Sequence, residues 1–127
     1  MATAEMTVTS TITWFEIPAT NFGRAVRFYE TIFANPLQHL ADWPNMAIFP
    51  YQRPGISGAV VGGEDRRPST DGVVIYLNCE GRIDAVLGRV EKAGGAIVEA
   101  KNHIPNVGWV AQIRDSEGNR IGLHDAA

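Results

Sequence analysis

Two titratable side chains fall where chemistry is possible: Glu16 in the first strand-like run and His124 in the last. A carboxylate and an imidazole can share general acid–base work, because imidazole titrates near neutrality and a desolvated carboxylate is raised toward it. The same pair could serve as an improvised two-ligand metal site, although two donors on separate strands rarely hold an ion without a third. A purely structural role would pair Glu16 with Arg120 and leave His124 partly exposed. Strand alternation places these groups beside aromatic residues. Ile12, Trp14 and Glu16 share one side of residues 12–17, opposite Phe15 and Ile17. Val74, Tyr76 and Asn78 oppose Ile75 and Leu77, and Arg120, Gly122 and His124 oppose Ile121 and Leu123. Trp14, Tyr76 and Trp109 therefore read as aromatic walls of a semi-open ligand cavity, with Met46 and Phe49 as further candidates and Glu16, Arg120 and His124 as polar handles. The face of Trp109 stays open, since either Trp109, Ala111 and Ile113 or Val110 and Gln112 could point inward.

Other reactive residue types carry less. Cys79 is the only cysteine, so no internal disulfide can form, and its place at the end of an apolar run suits a small buried hydrophobe. His39 beside a short strand and His103 in the polar run Lys101-Asn102-His103 lack motif partners and read as surface histidines, the latter in a loop ahead of Pro105. The nucleotide-binding, zinc-protease, dithiol and serine-hydrolase signatures are absent.

The elements that must position Glu16 and His124 are stated twice along the chain. Residues 12–17 read as a strand and 22–33 as an amphipathic helix, with Phe22, Ala25, Val26, Tyr29, Ile32 and Phe33 on one stripe. Thr20 or Asn21 can cap its start, and Asn35-Pro36 stops it. Short strands are expected near 37–40, 46–51 and 56–61. The pattern restarts with a strand at 73–78 and a helix at 83–93 striped by Ile83, Val86, Leu87, Val90 and Ala93, with Gly94-Gly95 as its exit. Strands near 96–100, 109–114 and 120–124 complete it. Phe22 to Ile83 and Val26 to Leu87 are both 61 positions apart, so the registers match. Each half reads βαβββ, with residues 62–72 as a linker, and a lone module would leave an apolar sheet face bare, so the two must pair.

At 127 residues the chain is read as a single domain, 1–127, able to bury roughly two thirds of its unfolded surface. A net charge of −3 and interspersed signs argue against a nucleic-acid partner, and the run Glu64-Asp65-Arg66-Arg67 reads as a solvated loop. Residues 1–10 lack a signal-peptide pattern and no 18-residue apolar run exists, so no membrane partner is expected and the cytoplasm is the default location.

The paired βαβββ modules, the run Ala25-Val26-Arg27-Phe28-Tyr29 and the turn Asp115-Ser116-Glu117-Gly118-Asn119 resemble the vicinal oxygen chelate superfamily. This group includes glyoxalase I, bleomycin-resistance proteins, fosfomycin-modifying enzymes and extradiol dioxygenases. Trp14-Phe15-Glu16-Ile17-Pro18 and Gly118-Asn119-Arg120-Ile121-Gly122-Leu123-His124 look most like its small glyoxalase-like members, and the resemblance spans about residues 11–125. It implies an α+β fold in which tandem modules, about 11–62 and 72–125, form a curved, cup-shaped mixed sheet with helices on the outer face. It also implies a homodimer. Metal-dependent members carry His or Glu ligands on the cup face of the first, fourth, fifth and eighth strands. Carried over, those positions are Trp14, a residue within 56–61, Val74 and Gly122, and the fourth-strand run offers only Ser57 as a polar side chain. Indole, isopropyl and hydrogen donate nothing to a cation, so no cofactor is expected. Glu16 and His124 lie two residues beyond lost ligand positions. The resemblance thus implies a metal-free protein binding a small aromatic or planar molecule. Its alternative is a lyase, isomerase or dioxygenase using Glu16 and His124, with or without a divalent metal.

Overall fold

A computed structural model of the protein describes residues 11–126; the reading of residues 1–10 lies outside them. The apolar stripe of the first helix folds as expected into α1 (Phe22–Phe33), which buries Ala25, Val26, Phe28, Tyr29, Ile32 and Phe33. Asn21 is its cap, the side chain accepting from the Arg24 N–H at 3.0 Å. It ends one residue before Asn35-Pro36, where Ala34 turns left-handed at φ 52° and returns its N–H to Glu30 and Thr31. The second helix, α2 (Ile83–Val90), is shorter than its stripe, and Gly94 at φ 105° supplies the expected exit after a looser turn.

Around α1 stand β1 (Trp14–Ala19), β2 (Gln38–Leu40), β3 (Trp43–Ile48) and β4 (Ser57–Gly62). Around α2 stand β5 (Tyr76–Asn78), β6 (Ala96–Ile104), β7 (Gly108–Arg114) and β8 (Arg120–Asp125). The strands form two four-stranded sheets with the same internal order, β1-β4-β3-β2 and β5-β8-β7-β6. In each, the first and last strands of the module run parallel and the remaining pairs antiparallel. The two βαβββ modules inferred from the repeat are therefore present.

Several boundaries moved for reasons that alternation cannot reveal. β1 starts at Trp14, because the β4 ladder pairs Trp14 with Ser57 and runs on to Ala19 opposite Gly62. β3 starts at Trp43, because Trp43 pairs with Leu40 across a tight turn. β6 runs to Ile104 and takes in Lys101, Asn102 and His103, expected in a loop; two register shifts along it break the alternation that would have marked a strand.

Helix-side residues of both sheets and the apolar stripes of both helices merge into one hydrophobic cluster, with Ile17, Tyr29 and Val60 from one module and Leu77, Val86, Ile113 and Leu123 from the other. The modules are bonded across it. The turn between β7 and β8 reaches to α1 and β1: Tyr29 Oη donates to Asp115 at 2.6 Å, Arg24 Nε to Glu117 at 2.7 Å, and Asn119 Nδ2 to the Pro18 carbonyl at 2.8 Å. In return Arg82 and Arg89 donate to the Phe33 and Ile32 carbonyls, each at 3.0 Å, near the end of α1. Among the described residues no helix is long and apolar enough to cross a membrane.

Cys79 is sealed in this core, and burial, foremost, pushes its thiol up to about 11. The folded protein is therefore expected to react with a disulfide reagent at about pH 8 only as fast as it unfolds. Rapid stoichiometric labelling without denaturant would contradict this.

Candidate functional site

The sheet faces turned away from the helices carry most of the residues singled out by sequence. In the first module Trp14 remains 40 % exposed, and its Nε1 donates to Glu16 at 3.3 Å. Glu16 pairs with Arg66, not with Arg120, at 2.7 Å. The cause is topological. β4 runs parallel beside β1 and turns at Gly63, where the Arg66 N–H bonds the Gly63 carbonyl, so the following segment returns over Glu16. Arg120 belongs to the other sheet. The charged run at 64–67, read as wholly solvated, thus supplies the counter-ion of the candidate carboxylate. Met46, in register with Val61 on the same face, lines a shallow hollow of about 250 Å³ with Trp43 and Arg66.

In the second module Tyr76 and Gly122 are register partners, and the tyrosine ring lies across the glycine: a Cβ at Gly122 would stand 2.3 Å from it. Gln112 is the partner of Gly122 on the other side, which brings its Nε2 to Tyr76 Oη at 2.8 Å. Arg120 donates to Gln112 Oε1 at 3.0 Å and has no salt bridge among the described residues. An Arg–Gln–Tyr chain of hydrogen bonds therefore crosses this face. Of the two inward-facing sets left open for this strand, the register opposite Gly122 selects the one with Val110 and Gln112. His124 lies at the far end of the strand, its Nε2 2.7 Å from the Val107 carbonyl. That contact makes Nε2 the donor and leaves Nδ1 as the ring's second site.

Trp109 is not with these residues. It follows Ala111 and Ile113 on the helix side, stacked 4.6 Å under Lys101 Nζ and 4.9 Å from the His103 ring. Phe49 is also on the helix side, against Phe15, Tyr29 and Phe33. Register turns both to the helix side, where they are half-buried and packed against the core rather than beside Trp14 and Tyr76. His39 occupies edge strand β2, with its ring edge-on to Phe22.

Neither a protein-family model nor a curated protein matches this chain. Solved structures match nearly all of it. A glyoxalase/bleomycin resistance protein from Albidiferax ferrireducens superimposes with a TM-score of 0.75 at 14 % identity, covering 93 % of this chain and 100 % of that one. The chain has the glyoxalase/bleomycin-resistance fold. A glyoxalase/bleomycin resistance protein/dioxygenase family enzyme from Burkholderia phytofirmans shares it, with a TM-score of 0.70, 12 % identity and coverage of 91 % and 98 %. So does an antibiotic-binding protein from a Streptomyces species, with a TM-score of 0.64, 18 % identity and coverage of 96 % and 100 %.

The donor set expected of a metal-dependent glyoxalase/bleomycin-resistance fold does not fit this chain. The β4 residue in register with Trp14 is Ser57, and its hydroxyl is spent on the Phe49 carbonyl at 2.7 Å. Val74 precedes β5, and Gly122 lies under the Tyr76 ring. Among the described residues no three His, Cys, Asp or Glu side chains converge. A divalent ion needs several such donors at one point.

Proposed function

We propose that this protein is a metal-free small-molecule-binding protein, a single domain of glyoxalase/bleomycin-resistance fold that works as a homodimer and holds an aromatic or planar ligand against Trp14 and Tyr76. The observation that carries this is the pairing of two exposed rings, 40 % and 46 % accessible, with polar handles on sheet faces that no helix covers. Glu16, Arg120 and His124 are the handles proposed to orient the ligand. Solvent-facing aromatics with a few fixed polar groups are the usual composition of ligand sites. The antibiotic-binding protein of the same fold supports binding as the activity. Glu16 is neutralised by Arg66 and His124 is held by a backbone carbonyl, which suits recognition better than proton transfer. A second copy would cover the bare faces, as an unpaired sheet face favours. The lone buried cysteine suits a reducing compartment such as the cytoplasm.

A thermal-shift screen of planar aromatic compounds tests the reading. A true ligand at a hundred times its Kd stabilises the fold by about 2.7 kcal/mol. Trp14→Ala and Tyr76→Ala should each weaken that ligand by about tenfold. A broad library that leaves the midpoint unmoved would overturn the binding function. Light scattering that finds a monomer throughout the micromolar range would overturn the dimer.

A further inference from the structure

A cavity of about 480 Å³ among the described residues is not centred on the Trp14 and Tyr76 faces. It opens at the junction of the modules, with Phe15, Phe33, Leu37, Phe49 and Leu77 as an apolar floor and Arg82 at its rim. It lies where the internal repeat breaks down. At the start of α1, the β7–β8 turn of the opposite module supplies a carboxylate: Glu117 accepts from the Asn21 N–H and from Arg24, both at 2.7 Å, and its side chain is fully buried. The counterpart of that turn in the first module is residues 49–56, between β3 and β4. This segment contains no Asp or Glu at all.

The consequence falls on Arg82, the N-cap residue of α2 and so the repeat equivalent of Asn21. Its guanidinium sits 5.2 Å over the Phe33 ring and gives one N–H to the Phe33 carbonyl. It has no carboxylate partner among the described residues. Glu80 is exposed and outside the cavity lining, and three other nearby acidic groups are engaged elsewhere: Asp84 with Lys101, Glu30 with the Leu37 N–H, and Asp125 with the Gly81 N–H. None of the three lines the cavity. Asn78, which does, uses its Oδ1 on the Glu80 N–H and keeps its Nδ2 as a donor.

We infer that this cavity is a second binding site, selective for a small aromatic carboxylate whose anion meets Arg82 as Glu117 meets α1. Three phenyl rings and two leucines bury a planar apolar body, while a guanidinium matches a carboxylate with paired N–H donors. The volume lies in the range of ordinary ligand pockets. The inference does not depend on a ligand at the Trp14 and Tyr76 faces.

Isothermal titration of the full chain with naphthylacetate and its neutral analogue naphthylacetamide decides it. The carboxylate should bind at least about tenfold more tightly than the amide, as a charge-assisted contact requires. Arg82→Gln should erase that preference while leaving amide binding unchanged. Arg82→Lys should keep part of it, and Tyr76→Ala should keep all of it. Equal affinities, no detectable carboxylate binding, or a preference that survives Arg82→Gln would each overturn the site. So would a preference lost in Tyr76→Ala, which would place the acid on the other face. Should Arg82→Gln fail to fold for want of its bond to Phe33, the wild-type comparison of acid with amide and the Arg82→Lys titration still separate these outcomes.

Discussion

Asp115→Ala is expected to destabilise the protein by about 3–5 kcal/mol, because it strips the partner from several buried donors at once. Asp115 is 3 % exposed. It accepts from Tyr29 Oη at 2.6 Å, from the Glu117 and Asn119 N–H groups at 2.9 Å, and from Asn119 Nδ2 at 3.0 Å. Alanine leaves these donors facing a space that water must enter or that must collapse. The loss also loosens the turn that joins the modules, so urea melts should show a lowered midpoint. Tyr29→Phe removes only one of the bonds and should cost about 1–2 kcal/mol. A midpoint for Asp115→Ala equal to that of Tyr29→Phe would show that the turn does not hold the modules together.

The same network makes stability depend on pH at both the alkaline and the acid end. Burial, then the Asp115 carboxylate, hold the Tyr29 hydroxyl well above its ordinary value of 10.0. The unfolded chain therefore loses this proton first, so the contribution is complete below about pH 10 and is lost as pH rises further. For Glu117 burial alone would raise the carboxyl, but hydrogen bonds from Arg24, the Asn21 N–H and Ser116 bring it below 4.5. Here the contribution is present above that value and disappears as acid protonates the group. Tyrosine absorbance from Tyr29 should accordingly change only together with alkaline unfolding.

Gly58→Ala and Gly122→Ala should differ sharply although both glycines lie in register with an aromatic residue. A Cβ at Gly58 would stand 2.3 Å from the Phe15 carbonyl oxygen and 2.5 Å from its ring. Backbone cannot swing aside, so Gly58→Ala is expected to cost about 3 kcal/mol or more, at the upper end of overpacking, by prising β1 from β4. At Gly122 the obstructing atoms belong to the side chain of Tyr76, which is 46 % exposed and can turn outward about its Cα–Cβ bond once its hydrogen bond to Gln112 is given up. That variant should stay folded within about 1 kcal/mol. It should lose the Gln112–Tyr76 hydrogen bond and, on the proposed function, the ligand held by that ring. Circular dichroism melts paired with ligand titration separate the two outcomes. Equal stability losses would contradict this difference between a fixed carbonyl and a movable ring.

Local chemistry determined the architecture. Helical stripes 61 positions apart, the Asn21 cap and short alternating strands are properties of neighbouring residues, and the two modules follow from them. The alternation that set Trp14 with Glu16, and Tyr76 with Asn78, is equally local. The same alternation left Trp109 undecided, because a strand has two faces and only its partner, here β8, says which one meets the core. The counter-ion of Glu16 was settled at longer range, by a parallel ladder that carries Arg66 back across β1 while keeping Arg120 in the other sheet. The open junction beside Arg82 likewise appears only when the two modules are packed together, beside a turn that lacks the acid its counterpart possesses. Side-chain type and spacing act along the chain, whereas register and module packing join residues far apart in it, and that is why the elements were legible in the sequence and the partners were not.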